Sequence, residues 1–147
     1  DDRIAGVAAF AAFTPMRSDG VNSSTGGLAR LFDLHALVPR LGFFQSHEVD
    51  VPYDYDELLE AVAPRPVLLY TPQKDRDATY ADVLACVQGA FSAWKRLGVA
   101  QAFTHKAPDE GTRMESAQVQ ELSSWLHSAS AWIDVRSATA TQSWSLV

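Results

Sequence analysis

The chain has one cysteine, Cys86, so no internal disulfide staples the fold and no thiolate cluster can hold a metal. A lone thiol fits a reducing compartment, which favours the cytoplasm. No apolar run is long enough to span a bilayer, which argues against a membrane partner. Basic residues are scarce: 12 Lys and Arg against 18 Asp and Glu give a net charge of −6. Such a chain offers no basic stripe to a phosphate backbone, and nucleic acid is not an expected partner. No histidines or acids recur at ligand spacing such as His-x-x-x-His, and no lysine follows Gly26-Gly27 as a phosphate loop requires. No signal peptide is visible. The chain opens on Asp1 rather than methionine, so further sequence is expected upstream.

What is present organises around residues 61–78. Pro64 and Pro66 bar a helix across Arg65, and Val67-Leu68-Leu69-Tyr70 is a short apolar run of the kind buried on both faces of a parallel sheet. Charge follows at once, in Lys74, Asp75, Arg76 and Asp77. These acids stand at the carboxyl end of a strand, where open α/β sheets gather ligands and chemistry. Asp77 and Asp75 have a competing reading, as a cap on the next helix or as partners of Lys74 and Arg76.

At 147 residues, 47% of them apolar and 20% charged, the chain is one globular domain. Residues 4–13 suit a strand buried on both faces, although so alanine-rich a run could also be helical. Thr14-Pro15 ends it, a Ser/Gly/Asn-rich loop follows, and Leu28, Leu31, Phe32 and His35 recur at helical spacing. His35 reads as a core or lid histidine before a catalytic one. Residues 40–55 are an irregular excursion, and its Phe43, Phe44, Tyr53 and Tyr55 either line a pocket or pin the loop down. A short helix is expected over residues 56–62. A long one follows through Tyr80, Val83, Leu84, Val87, Phe91, Trp94 and Leu97, with Gly98 as its C-terminal glycine.

Residues 102–105 make a third strand ending at His105, and Pro108 to Arg113 form a second polar loop. A last helix spans residues 114–127, with Val119, Leu122, Trp125 and Leu126 inward and with His127 at its end, where a positive charge suits the dipole; the alternative is an extension to about Val135. The domain is read as residues 1–136, with 137–147 a low-complexity tail, mobile or docked on a partner. The order is βαβαβα, a parallel half-sheet between helices, and its first strand would need a neighbour on the outer side.

At this point a family resemblance emerges. The opening DDRIAGVAAFAAFTPMRSD, the middle HALVPRLGFF, the stretch PYDYDELLEAVAPRPVLLYTPQKDRDA and the final Trp125-Leu126 helix resemble the C-terminal half of an α/β-hydrolase of the dienelactone-hydrolase and acetyl-xylan-esterase-like group. The resemblance covers residues 1–127. It implies a partial three-layer α/β/α hydrolase fold, a small-molecule ester as substrate, no cofactor, and an acyl-enzyme route. It makes Asp75 the acid of the triad, with Asp77 as second choice.

The chain departs from that pattern in two places. It contains no G-x-S-x-G elbow, and Ser23-Ser24 lacks the strand that strains such a turn, so nucleophile and oxyanion donors would lie outside it. The family's histidine position falls in Glu110-Gly111-Thr112-Arg113, which has none. His105 is the nearest substitute base, unless it is only a half-buried histidine bonded to backbone. Arg17, Phe43 and Tyr53 are expected to line the cleft. The competing reading is a non-catalytic relative, a binding or assembly module whose sheet edge pairs with a second chain or its own copy; a breakdown product of a longer enzyme is a third.

Overall fold

Val67–Tyr70 forms the central strand of the sheet, with all four residues buried, as the apolar run predicts. The computed structural model describes residues 4–11, 13–20, 23, 28 and 39–144, with side chains to residue 132. Its elements are strand β1 (Val7–Phe10), 3-10 turns at Pro39–Phe44 and Glu48–Asp50, helix α1 (Tyr55–Glu60), β2 (Val67–Tyr70), helix α2 (Tyr80–Arg96), a 3-10 turn at Ala100–Ala102, β3 (Phe103–Lys106) and helix α3 (Ser116–Trp144). The strands lie parallel in the order β1-β2-β3. Val7 stands beside Val67 and Phe10 beside Tyr70, while Val67 stands beside Phe103 and Tyr70 beside Lys106. The predicted helix through Leu28, Leu31, Phe32 and His35 lies, apart from Leu28, outside the described residues.

Alternation along β2 builds the layers. Val67 and Leu69 join Leu59 of α1 and Val83, Val87, Ala90, Ala93 and Trp94 of α2 in one core. Leu68 and Tyr70 face α3, through Trp125 and Gln118 respectively. Helices therefore cover both faces of the sheet. Trp94 anchors the larger core: it is fully buried, its Nε1 donates to the Arg65 carbonyl at 3.0 Å, and its ring tilts against Phe103 at 4.7 Å. Helix α2 ends as its sequence predicts. Gly98 takes a φ of +69°, and the bonds Gly98 N to Lys95 O and Val99 N to Trp94 O complete a Schellman cap.

A second core, of Met16, Leu28, Leu41 and Val51, lies under the excursion. Asp54 ties it to the sheet side. Its carboxylate, 4% exposed, accepts from Met16 N and Arg17 N at 2.8 Å and from Tyr55 N at 2.7 Å, and it closes a capping box with Glu57 at the start of α1. Residues 40–55 are thus held by hydrogen bonds and short 3-10 turns, which explains their lack of periodicity.

Three expectations are corrected. Strand β1 is four residues long, not ten, and Ile4 is exposed; the ladder extends only where β2 offers a partner, and Ala8 also meets solvent. In α3 the covered stripe is Gln118, Leu122, Trp125 and Ala129, whereas Val119 and Leu126 are each 51% exposed. The phase of the helix is set by the polar anchor at Gln118. The same helix runs on to Trp144, through most of the segment read as a tail, and so His127 sits mid-helix with Nδ1 2.8 Å from the Ser123 carbonyl.

Candidate functional site

The loops leaving the three strands meet at the carboxyl edge of the sheet. Their backbones are laced together: Ala11 N donates to Tyr70 O, Thr71 N to Lys106 O, Gln73 N to Pro108 O and Lys74 N to Glu110 O, at 2.8 to 3.0 Å. Pairing between β2 and β3 thus continues past both strands into the acidic loop. The Gln73 side chain adds a bond to the Ala107 carbonyl at 2.7 Å, and Lys74 Nζ lies 3.0 Å from Asp109 Oδ1. From the other side Thr14 Oγ1 donates to the Asp77 carbonyl at 2.6 Å.

Asp75 is held within this frame. Its Oδ1 accepts from Asp77 N at 2.8 Å in a local turn that orients this oxygen, and its own N–H bonds Pro72 O. It does not cap helix α2, whose N-cap is Thr79, and Lys74 pairs with Asp109 instead. Asp75 lines a pocket with Ala11, Phe13, Thr71, Pro72, Ala78, Tyr80 and Val83. The pocket, about 10 Å³, is the size of one water. Ala11 enters it with a φ of +45°, a left-handed conformation that costs an alanine energy and turns the chain sharply off β1.

His105 stands beside Leu69 in the ladder, on the α2 side of the sheet, and not in the loop beyond β3. Its Nε2 lies 2.6 Å from Thr71 Oγ1. No hydrogen bond joins it to Asp75 among the described residues. Burial pushes the imidazole pKa down, so the neutral form is favoured. Within Glu110-Gly111-Thr112-Arg113, the stretch where the resemblance would set a histidine, Glu110 is the residue anchored to the sheet. Its Oε1 accepts from Tyr70 OH at 2.5 Å and from Gln118 Nε2 at 2.7 Å, and Gln118 also donates to the Tyr70 oxygen at 3.1 Å. Tyr70 stacks on Phe10 at 4.8 Å. Burial, then the bond to Glu110, raises the Tyr70 pKa.

The other predicted residues lie elsewhere. Arg17 donates from Nε to Val51 O at 3.0 Å and from Nη1 to Glu57 Oε1 at 3.0 Å, clamping the loop after β1 onto α1. The Glu57 carboxyl is held below its ordinary range, first by the bond from Asp54 N and further by Arg17. Phe43 is 84% exposed on a 3-10 turn, and Tyr53 packs against the second core. None of the three lines the Asp75 pocket. Ser23 donates to Asp19, and His47 is exposed beside the Gln45 carbonyl. Among the described residues no three His, Cys, Asp or Glu side chains converge as metal ligands, and no helix is long and apolar enough to cross a membrane.

Four residues central to this edge, Thr71, Tyr70, Glu110 and Gln118, escaped the sequence reading. Each works through a partner at least eight positions away, brought near by strand register or by the start of α3. Asp54 did leave a signal: Asp54-x-x-Glu57 ahead of Leu58-Leu59 is a capping-box pattern.

No protein-family model matches the chain, and no curated protein matches it in sequence. Among solved structures it is similar to a carbohydrate esterase family 15 (CE15) glucuronoyl esterase from Caldicellulosiruptor kristjansonii, with a TM-score of 0.64 and 22% identity over 85% of this chain. The chain spans 36% of that enzyme's length. The three parallel strands flanked by helices are accordingly a partial α/β-hydrolase fold.

Proposed function

We propose that this chain is the acid-bearing C-terminal part of a serine ester hydrolase of the dienelactone-hydrolase or acetyl-xylan-esterase-like group. The observation that carries the reading is Asp75. It sits one short turn beyond the central strand, on a loop braced from both neighbouring strands, and borders a pocket with room for one water. A triad acid needs such a seat, because it must hold an imidazole in one tautomer and stabilise the imidazolium formed during acyl transfer. The similarity to an esterase adds support for an ester as the substrate.

In the proposed reaction a serine outside these 147 residues attacks the ester carbonyl, and a histidine takes its proton. The alkoxide of the substrate leaves with that proton as the alcohol. Water, deprotonated by the same histidine, then hydrolyses the acyl-enzyme to the acid. Within this chain His105 is the proposed base. Its lowered pKa keeps the imidazole ready to accept a proton, and it would have to exchange Thr71 for the serine to do so. Arg17, Phe43 and Tyr53 are proposed to border the acyl or alcohol side of the cleft once the remaining sequence is in place. The outer side of β1 is proposed to pair with that sequence or with a second chain.

The second reading is a non-catalytic module. What favours it is the engagement of His105 with Thr71, together with Glu110 locked in the loop that should present a histidine. Fluorophosphonate labelling of the longest natural polypeptide that contains this chain separates the two. The expected result is a label mapped outside these residues and a loss of about 10⁴-fold in kcat on Asp75→Asn. No label on a folded, complete protein would establish the module instead.

A further inference from the structure

The acidic loop is fastened to β3 by bonds of very different quality. The Lys74–Asp109 ion pair is exposed at both ends, with side chains 64% and 72% accessible, and such pairs contribute little. Glu110 differs, because it is fixed at both ends of its own structure. Its carbonyl accepts the Lys74 N–H at 3.0 Å, one residue before Asp75. Its carboxylate is bound by Tyr70 of β2 and Gln118 of α3, both buried, in a triangle of bonds between 2.5 and 3.1 Å. Charge-assisted bonds to a carboxylate are the strong class, and partners shielded from water strengthen them further. The triangle also explains why a glutamine is buried on α3, where the apolar pattern alone would put an aliphatic residue.

We infer that Glu110 is the positioning residue of the acidic loop: it transmits the fixed location of Tyr70 and Gln118 to the backbone of Lys74, and thereby sets where Asp75 stands. This rests on the reading of Asp75 as the acid only for its catalytic consequence. The mechanical part concerns the loop alone. Glu110 is not a catalytic residue in this assignment, since it acts through the Lys74 amide and touches no reacting atom.

The test is amide hydrogen exchange, residue by residue, in the intact protein and in Glu110→Ala and Glu110→Gln, alongside kcat and KM. Glu110→Ala should speed exchange at the Gln73 and Lys74 amides about tenfold or more, while α2 amides keep wild-type rates. It should lower kcat by about 10- to 100-fold with KM within twofold. Glu110→Gln keeps an oxygen that can accept from Tyr70 and should recover most of the protection. Unchanged exchange at residues 73–77 in folded Glu110→Ala overturns the inference, as does a glutamine variant as loose as the alanine one. If Glu110→Ala fails to fold, Gln118→Leu removes one partner of the carboxylate and should produce the same local loosening, smaller in size. Loosening without any activity loss on Asp75→Asn would uphold the positioning role and sink the esterase reading, so the two failures are distinguishable.

Discussion

Thr71 and His105 meet across the β2–β3 ladder, Oγ1 to Nε2 at 2.6 Å, although 34 positions separate them in the chain. The hydroxyl partners an imidazole whose neutral form burial favours, on the α2 side of the sheet. Thr71→Val, nearly the same shape without the oxygen, should cost about 1–3 kcal/mol by stranding Nε2, measured as a lower urea midpoint at constant slope.

The same histidine gives stability a pH dependence of definite sign. Its folded pKa lies below the ordinary value of 6.5, so the unfolded chain binds the proton more readily. Stability is therefore intact above about pH 6.5 and declines as pH falls from there through the lower, folded pKa. Urea unfolding at pH 7.5 and 5.5 should show a larger loss for the wild type than for His105→Gln. Equal losses would remove His105 as the cause.

The buried Asp54 carboxylate accepts from three backbone amides, those of Met16, Arg17 and Tyr55. Its replacement by alanine would strand the amides of Met16 and Arg17 and undo the cap of α1. A loss of roughly 3–5 kcal/mol is expected, with the excursion over residues 40–55 loosening first. Limited proteolysis would report the order: cleavage within that segment before cleavage in α2.

Trp94→Ala should cost about 3–5 kcal/mol, because it opens a cavity in the larger core. Trp94→Phe tests a different contribution. It keeps most of the packing and leaves the Arg65 carbonyl without its donor, so a loss nearer 1 kcal/mol is expected. Denaturant midpoints of the two variants settle the split between volume and hydrogen bond.

Cys86 is buried in α2, and its thiol pKa is pushed up to about 12 by burial first and by the carboxylates of Asp56, Asp54 and Glu57 after it. At pH 8 the thiolate fraction is then negligible, and the side chain should resist a disulfide reagent in the folded protein. Reaction at the rate of an unfolded thiol, without denaturant, would contradict that environment.

Much of the scaffold was legible because it is written in local periodicity. Helix α2 reads directly from its three- and four-residue apolar steps and from Gly98, and β2 from four apolar residues after Pro66. The end of α3 misled because serine, threonine and alanine resemble a tail in composition, while their helical state depends on continuation from residues already committed. The inward face of α3 misled for another reason: a buried glutamine fixes the rotation, and no hydrophobic pattern announces a polar anchor. At the candidate site, the placement of Asp75 just beyond β2 was legible from the strand-end pattern. Its supports were not, since Thr71, Glu110 and Gln118 owe their roles to register between strands and to the start of a helix lying on the far face of the sheet.

The unequal spacing of the two ladders also bears on the order of assembly. Val67 and Phe103 are 36 positions apart, with α2 folding between them, whereas Val7 and Val67 are 60 apart. Closing the longer loop carries an entropy penalty greater by roughly half a kcal/mol. The β2–α2–β3 unit is therefore expected to nucleate, with β1 docking late. Substitutions such as Phe10→Leu should chiefly accelerate unfolding, whereas those in the Val67 to Phe103 pairing should slow folding itself, a contrast readable from the two limbs of a chevron.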